Sequence, residues 1–240
     1  MAGHLVFVTG GSSGIGLALA RAVPWKDARV VDVSRRGAPG LELVRADLAD
    51  PASWHAVGEL FARELKGYTG DGVVFVHSAG TLEPIGFAGE VEAEAYAHQV
   101  LLNAAAPQAL GDAFLRAARG TRAPCTLLMI SSGAARNVYE GWSAYCAGKA
   151  AVDQWVRTVG AEQARRGGNV RVLAIAPGVV ESAMQEQIRA TSARDFPEVE
   201  RFIALKRDGV LRAANEVAEQ IWTVLRGDFP NGAVLDLRSA

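Results

Sequence analysis

Leu5-Val-Phe-Val-Thr9-Gly-Gly-Ser-Ser-Gly-Ile-Gly16 is a short apolar run that stops at a cluster of glycines and opens into an amphipathic helix. Four apolar residues bounded by glycine suit a strand buried on both faces. Gly10, Gly14 and Gly16 permit a tight turn and let the backbone approach a pyrophosphate, which then rests on the helix N-terminus. Ser12, Ser13 and Ile15 complete that turn. Glycines alone are a weak signal. With a strand before them and a helix after, they predict a nucleotide-binding unit of an open parallel sheet.

The rest of the chain repeats the rhythm. Leu5-Val8, Arg29-Val33, Val73-His77, Thr126-Ile130, Arg171-Ile175 and Ala233-Leu237 are expected strands, and Leu43-Val-Arg-Ala46 is a candidate further one. Between them Ile15-Val23, Pro51-Leu65, Glu92-Ala118, Trp142-Arg166 and Asn215-Leu225 carry helical patterns. Strands alternating with helices predict a doubly wound parallel sheet with helices on both faces. Residues 1–240 are expected to form one domain, since 240 residues suffice for a single full core and no linker or repeat interrupts them. The interval 181–212 is too long for a simple loop and is expected to be a lid over the binding site. Its Met184, Ile188, Phe196, Phe202 and Leu205 are spaced to give an apolar inner face.

Composition narrows the function. A formal net charge of -1, with acids and bases interspersed, gives no footprint for nucleic acid or an anionic membrane surface. No apolar run approaches the ~20 residues of a membrane span, and the start of the chain is a strand rather than a signal peptide. Cys125 and Cys146 make no disulfide framework and fit a reducing, cytoplasmic setting. His4, His55, His77 and His98 lack metal-ligand spacing, so no metal is expected.

Chemistry-bearing residues gather at the ends of the expected strands, where open α/β sheets place ligands. The second strand runs into Ser34, Arg35 and Arg36, which would accommodate the 2′-phosphate of NADP. Asp32 is the complication: if that strand ended earlier, its carboxylate would meet the ribose and repel the phosphate. Asp47-Leu48 and His77-Ser78-Ala79-Gly80 follow other strand ends, and Ala176-Pro177-Gly178-Val-Val180 follows the strand at Arg171-Ile175. Asn103 is a polar residue inside an apolar helical pattern and needs a partner. Ser132 lies thirteen residues before Tyr145. Tyr145 and Lys149, four apart in a helix, share one face. A cation near a phenol lowers a pKa that is ordinarily ~10, which would ready the group for proton exchange with an alcohol or carbonyl.

Taken in order, Thr9-Gly16, Asn103, Ser132, Tyr145, Lys149 and Pro177-Gly178 resemble the short-chain dehydrogenase/reductase family over the whole chain. The resemblance implies a single Rossmann domain with a seven-stranded parallel sheet, a nicotinamide cofactor and a catalytic set of Asn103, Ser132, Tyr145 and Lys149. In that set Ser132 and Tyr145 would stabilise charge on the carbonyl oxygen, Tyr145 would give its proton, Lys149 would bind the nicotinamide ribose, and Asn103 would hold a water that re-protonates Lys149. The family's usual Asn-Asn-Ala-Gly is His77-Ser-Ala-Gly80 here, so the second Asn's role falls to Ser78 or is lost. The family's usual Thr after the Pro-Gly turn is matched by Ser182.

The stretches Met184-Gln-Glu-Gln-Ile-Arg189, Leu205-Lys-Arg-Asp-Gly209 and Phe229-Pro-Asn-Gly-Ala-Val-Leu-Asp236 resemble the sepiapterin reductase and bacterial benzil reductase branch. That resemblance implies reduction of a ketone or vicinal dicarbonyl with NADPH, and a homodimer or homotetramer. Met184 and Asp236 become candidate substrate contacts, with Asp236 matching a pterin anchor or simply ending the last strand. The alternatives are an NAD-dependent alcohol dehydrogenase of the same family and a cofactor-sensing Rossmann protein without catalysis.

Overall fold

The computed structural model describes residues 3–239. Seven strands form one parallel sheet in the order β3-β2-β1-β4-β5-β6-β7. They are β1 (His4–Thr9), β2 (Arg29–Ser34), β3 (Glu42–Arg45), β4 (Gly72–His77), β5 (Cys125–Ile130), β6 (Val170–Ala176) and β7 (Val234–Asp236). The candidate strand at Leu43 is therefore real, shifted one residue towards the N-terminus.

The continuous apolar runs are explained by the two cores they serve. Leu5 and Phe7 of β1 point to one face, where Phe61 of α2 (Pro51–Leu65), Phe75 of β4 and Phe114 of α4 (Ala106–Ala118) meet at ring centroid separations of 4.9–5.6 Å. Val6 and Val8 point to the other face, against Leu19 of α1 (Gly14–Arg21) and Ile221 and Trp222 of α8 (Ala214–Leu225). With both faces covered, the middle of the strand, Leu5 to Val8, is continuously apolar. A buried ring of this kind contributes about 3–5 kcal/mol when truncation to alanine is the measure.

β1 lies between β2 and β4, so the chain turns in opposite directions from the two sides of β1 and leaves a crevice at the strand ends. α5 (Ser143–Arg166) runs 24 residues beside that crevice and stops at Gly167, whose φ of 61° caps it in the left-handed region.

The helix expected over Glu92-Ala118 is continuous but not uniform. α3 (Ala93–Val100) and α4 are joined by a π-helical turn, Leu101–Ala105. Pro107 has no N–H to donate to the carbonyl four residues back, at Asn103. The ladder slips there, and Ala106 N donates to Leu101 O instead. Such turns mark functional sites in helices more often than chance, and here the turn holds Asn103.

Residues 181–212 contain α6 (Ala183–Ala190) and α7 (Val199–Arg207). The segment leaves and returns at one place: Glu181 N donates to Arg212 O (2.9 Å) and Arg212 N to Val179 O (3.1 Å).

Candidate active site

A cleft of about 1280 Å³ opens along the strand ends. Gly10, Ser12, Ser13, Gly14, Ile15, Gly16, Ser34, Arg35, Arg36, Asp47, Leu48, Ser78, Ala79, Gly80, Ser132, Tyr145, Lys149, Pro177, Gly178, Val180, Ser182 and Met184 all line it. Two expected residues, Asn103 and Asp236, do not.

The glycine turn is shaped by close approach. Gly10 (φ 70°) passes the backbone of Ala79, and a Cβ on Gly16 would sit 2.3 Å from Gly10 O. Ser13 caps α1 without a side-chain hydrogen bond, and a Cβ at Gly14 would meet nothing within 4 Å. The first amides of α1 therefore face the cleft without a protein side chain on them. That arrangement fits a pyrophosphate.

Asp32 does not reach the cleft. It is fully buried, accepts from Gly11 N at 2.9 Å and from Ser34 Oγ at 2.9 Å, and Ser34 Oγ in turn accepts from Gly37 N at 3.0 Å. Burial raises its pKa, and the bonds from Ser34 and Gly11 oppose that shift. Asp32 thus braces the turn from inside, because β2 continues to Ser34, and the residues at the open end of the cleft are Ser34, Arg35 and Arg36.

The turn after β4 is held by an interaction the sequence reading missed. Thr9 Oγ1 accepts from Ser78 N (3.0 Å) and Ala79 N (3.2 Å), so its own hydrogen goes to His77 Nδ1, 3.1 Å away. Burial and the Lys149 charge push the His77 pKa down to about 3, which keeps the ring neutral and able to accept. The tie comes from Thr9 rather than from the Ser78 side chain.

α5 sets Tyr145 and Lys149 on one face, 7% and 6% exposed. The Ser132 hydroxyl lies within hydrogen-bonding reach of the phenol and draws its pKa down, but burial prevails and pushes it up to about 12. The fall expected from Lys149 does not prevail: its Nζ sits 5.7 Å from the ring centroid and donates to Ile130 O at 2.8 Å. Burial brings the Lys149 pKa down to about 8, with Asp153 one turn further along α5 working against that. Asn103, 2% exposed, accepts from Thr81 N (3.0 Å) and donates to Thr81 O (2.7 Å), so its amide clamps the turn beyond Gly80. Gly148 allows this proximity, since a Cβ there would be 3.0 Å from Asn103 Cβ.

The apolar face expected of residues 181–212 is present. Met184, Ile188, Phe196, Phe202 and Leu205 pack with Leu82, Tyr139, Trp142 and Tyr145. Phe196 stacks on Trp142 at 4.4 Å and 9°. Trp142 and Tyr139 had no motif to announce them, although an aromatic beside the Tyr-Lys helix start was visible.

Comparison with known proteins bears on this geometry. The sequence profile of the short chain dehydrogenases matches residues 4–193. The chain belongs to the short-chain dehydrogenase family. A benzil reductase ((S)-benzoin forming) of Bacillus cereus is 32% identical over 242 residues, covering 96% of this chain and 97% of that one. Mouse sepiapterin reductase is 38% identical over 112 residues, 46% of this chain and 41% of its own. A short chain dehydrogenase/reductase from Saccharomyces cerevisiae superimposes with a TM-score of 0.81 at 25% identity, covering 98% of this chain and 96% of that chain. This short-chain dehydrogenase is therefore an oxidoreductase of the sepiapterin and benzil reductase branch, and its cleft fits the family's nicotinamide cofactor.

At the far edge of the dehydrogenase's cleft, Asp236 faces Arg136 (2.9 Å) and Arg238 (2.6 Å) instead of the open space. Arg238 is the residue that lines the cleft there.

Proposed function

We propose that this short-chain dehydrogenase is an NADPH-dependent reductase of ketones and vicinal dicarbonyls. The observation that carries the reading is the grouping of Ser132, Tyr145 and Lys149 beneath an aromatic and aliphatic wall. That wall suits bulky aryl substituents, and the name of the Bacillus relative points to a vicinal diketone. The test is a panel of aryl diketones and simple ketones with both coenzymes, followed by loss of the reduced-coenzyme absorbance. Oxidation of NADPH by vicinal diketones supports the reading; activity confined to NADH and alcohols overturns it.

The geometry supports the following roles. Residues 10–16, Ser34, Arg35, the Ser78-Ala79-Gly80 turn and Pro177-Gly178 would hold the coenzyme, which when bound supplies a hydride. Ser132 and Tyr145 would donate to the carbonyl oxygen where negative charge grows. Tyr145, protonated because burial raises its pKa, then gives up its proton as general acid. Lys149 keeps a positive charge behind it at neutral pH.

Arg35 sits on the cleft wall just past β2, with Asp32 turned inward, so a 2′-phosphate would meet a guanidinium and no carboxylate from that strand. Arg35→Ala is expected to weaken NADPH by roughly 10- to 150-fold, the range for a charge-assisted hydrogen bond, and to leave NADH nearly unchanged. Fluorescence titration of both coenzymes checks this, and equal weakening would remove Arg35 from coenzyme choice.

Residues 181–212 are proposed to open as a unit about the junction of Val180 and Arg212. Their amides should exchange rapidly in the free protein and slowly once NADPH and a substrate analogue are bound. Equal protection in both states, measured by hydrogen exchange with mass spectrometry, would make the segment rigid scaffold.

A further inference from the structure

Asp236 closes β7, and Arg238 folds back onto it. Asp236 Oδ1 accepts from Arg238 N (3.0 Å) and Nε (3.0 Å), and Oδ2 accepts from Arg238 Nη2 (2.6 Å) and Arg136 Nη2 (2.9 Å). The carboxylate is 9% exposed and committed to protein partners, so it has little left to offer a ligand. Two guanidiniums share one carboxylate, which leaves an excess of one positive charge at the cleft edge.

The position of Arg238 is set at both ends of its side chain. Its Cγ lies 3.3 Å from where a Cβ on Gly178 would be, and its Nη2 lies 3.5 Å from the corresponding point on Gly133. Gly133 directly follows Ser132, and Gly178 belongs to the turn after β6. The guanidinium therefore stands between the Ser132 loop and the Pro177-Gly178 turn. Its Nη1 makes no hydrogen bond among the described residues. Tyr139, Trp142, Met184, Phe202 and Leu205 supply the apolar part of the same cleft.

An arginine already fixed by a carboxylate loses little further freedom when it binds a ligand. Its planar fork matches a second carboxylate better than it matches a neutral ketone oxygen. We infer that Arg238, held by Asp236, receives a carboxylate that the substrate carries beside its reducible carbonyl, so that the substrate class is an aryl-substituted 2-oxo acid. The inference rests on the carbonyl-reductase reading and refines it. The balance is that of a two-electron reduction: the keto carbon gains a hydride from the reduced coenzyme, its oxygen gains the Tyr145 proton, and the carboxylate passes unchanged into a 2-hydroxy acid.

The experiment compares phenylglyoxylate with its methyl ester, which keeps the aryl ketone and removes the charge. Wild type should show the higher kcat/KM on the acid. In Arg238→Gln the acid-to-ester ratio of kcat/KM should fall about 10- to 150-fold, the range for a charged hydrogen-bonded partner, through KM more than kcat. Titration calorimetry on the NADP⁺-loaded protein gives a reading independent of turnover: mandelate should bind wild type and be weakened to the same extent by the substitution. Should Arg238→Gln fail to fold, the wild-type preference for the acid and its erosion by salt decide. A wild type that favours the ester, or a ratio unmoved by Arg238→Gln, overturns the inference while leaving the reductase reading intact. If wild type reduces neither compound nor benzil with either coenzyme, the reductase reading fails and takes the carboxylate assignment with it.

Discussion

Tyr145→Phe is expected to lower kcat for carbonyl reduction by about 100- to 10,000-fold, the usual contribution of a positioned general acid. Coenzyme affinity should hardly move, because the ring and its packing against Trp142 stay (centroids 5.7 Å apart). The pH behaviour adds a second signature. With its pKa pushed up to about 12, Tyr145 is a phenol across the working range, the correct form for giving a proton. Lys149, at about 8, carries its charge below that pH and loses it above. Reduction should therefore hold steady through neutral pH and decline as pH rises through about 8. Oxidation of the alcohol product needs the phenolate and should climb towards alkaline pH. Steady-state kcat profiles in both directions check this. A Tyr145→Phe enzyme that keeps half its turnover would remove the tyrosine from the reaction.

Gly16→Val should abolish useful coenzyme binding. A Cβ at this position falls 2.3 Å from Gly10 O and 2.8 Å from Gly10 C, and neither backbone atom has a soft direction in which to yield. Relieving the clash must shift the turn against α1. Misplacement on the scale of an ångström can cost about 100-fold, and we expect at least that loss in NADPH affinity. Overpacking of this kind costs about 1–3 kcal/mol, or a fall in Tm of about 2–4 °C per kcal/mol for a domain of this size. Gly67→Ala, outside the cleft, is the control. Its φ is 70° but open space surrounds the site, so only backbone strain of about 1–2 kcal/mol is added. Thermal melts and NADPH titration of the two variants should separate them, and a Gly16→Val protein that binds NADPH like wild type would show that the turn is not the coenzyme cradle.

The sheet was legible because its information is local. Short apolar runs, glycine turns and helical periods each lie within a dozen residues, and they placed six strands and the cleft residues from Gly10 to Ser182. What escaped depended on partners distant in sequence or on side-chain direction. Thr9 and His77 are separated by 68 residues. Arg136 and Asp236 are separated by 100, so a carboxylate that looked available for substrate is already paired. The direction of Asp32 could not be settled without knowing that β2 pairs with β3 as far as Ser34. The electrostatics of Tyr145 and Lys149 also differed from the local expectation. Spacing alone brings the charges near each other but says nothing about burial, which dominates both pKa values. The π-helical turn at Asn103 did have a signal, Pro107 four residues on, and it reads clearly once the missing N–H is traced to a specific carbonyl.

The two hydrogen bonds that join Val179 and Glu181 to Arg212 bring the two ends of residues 181–212 together at one place, while the segment's apolar face packs on Leu82, Tyr139, Trp142 and Tyr145. Since its ends already meet, doubling its length would add only about 0.6 kcal/mol of closure entropy, and no strand of the sheet would have to move. Under the proposed function, the apolar share of substrate preference would then sit on a piece of chain distinct from Ser132, Tyr145 and Lys149, while Arg238 stays with the sheet. A foreign segment spliced between Val180 and Arg212 would be expected to change the apolar groups that are accepted and to leave those three residues in place, which makes the junction a natural site for recombination, in a laboratory or in a genome.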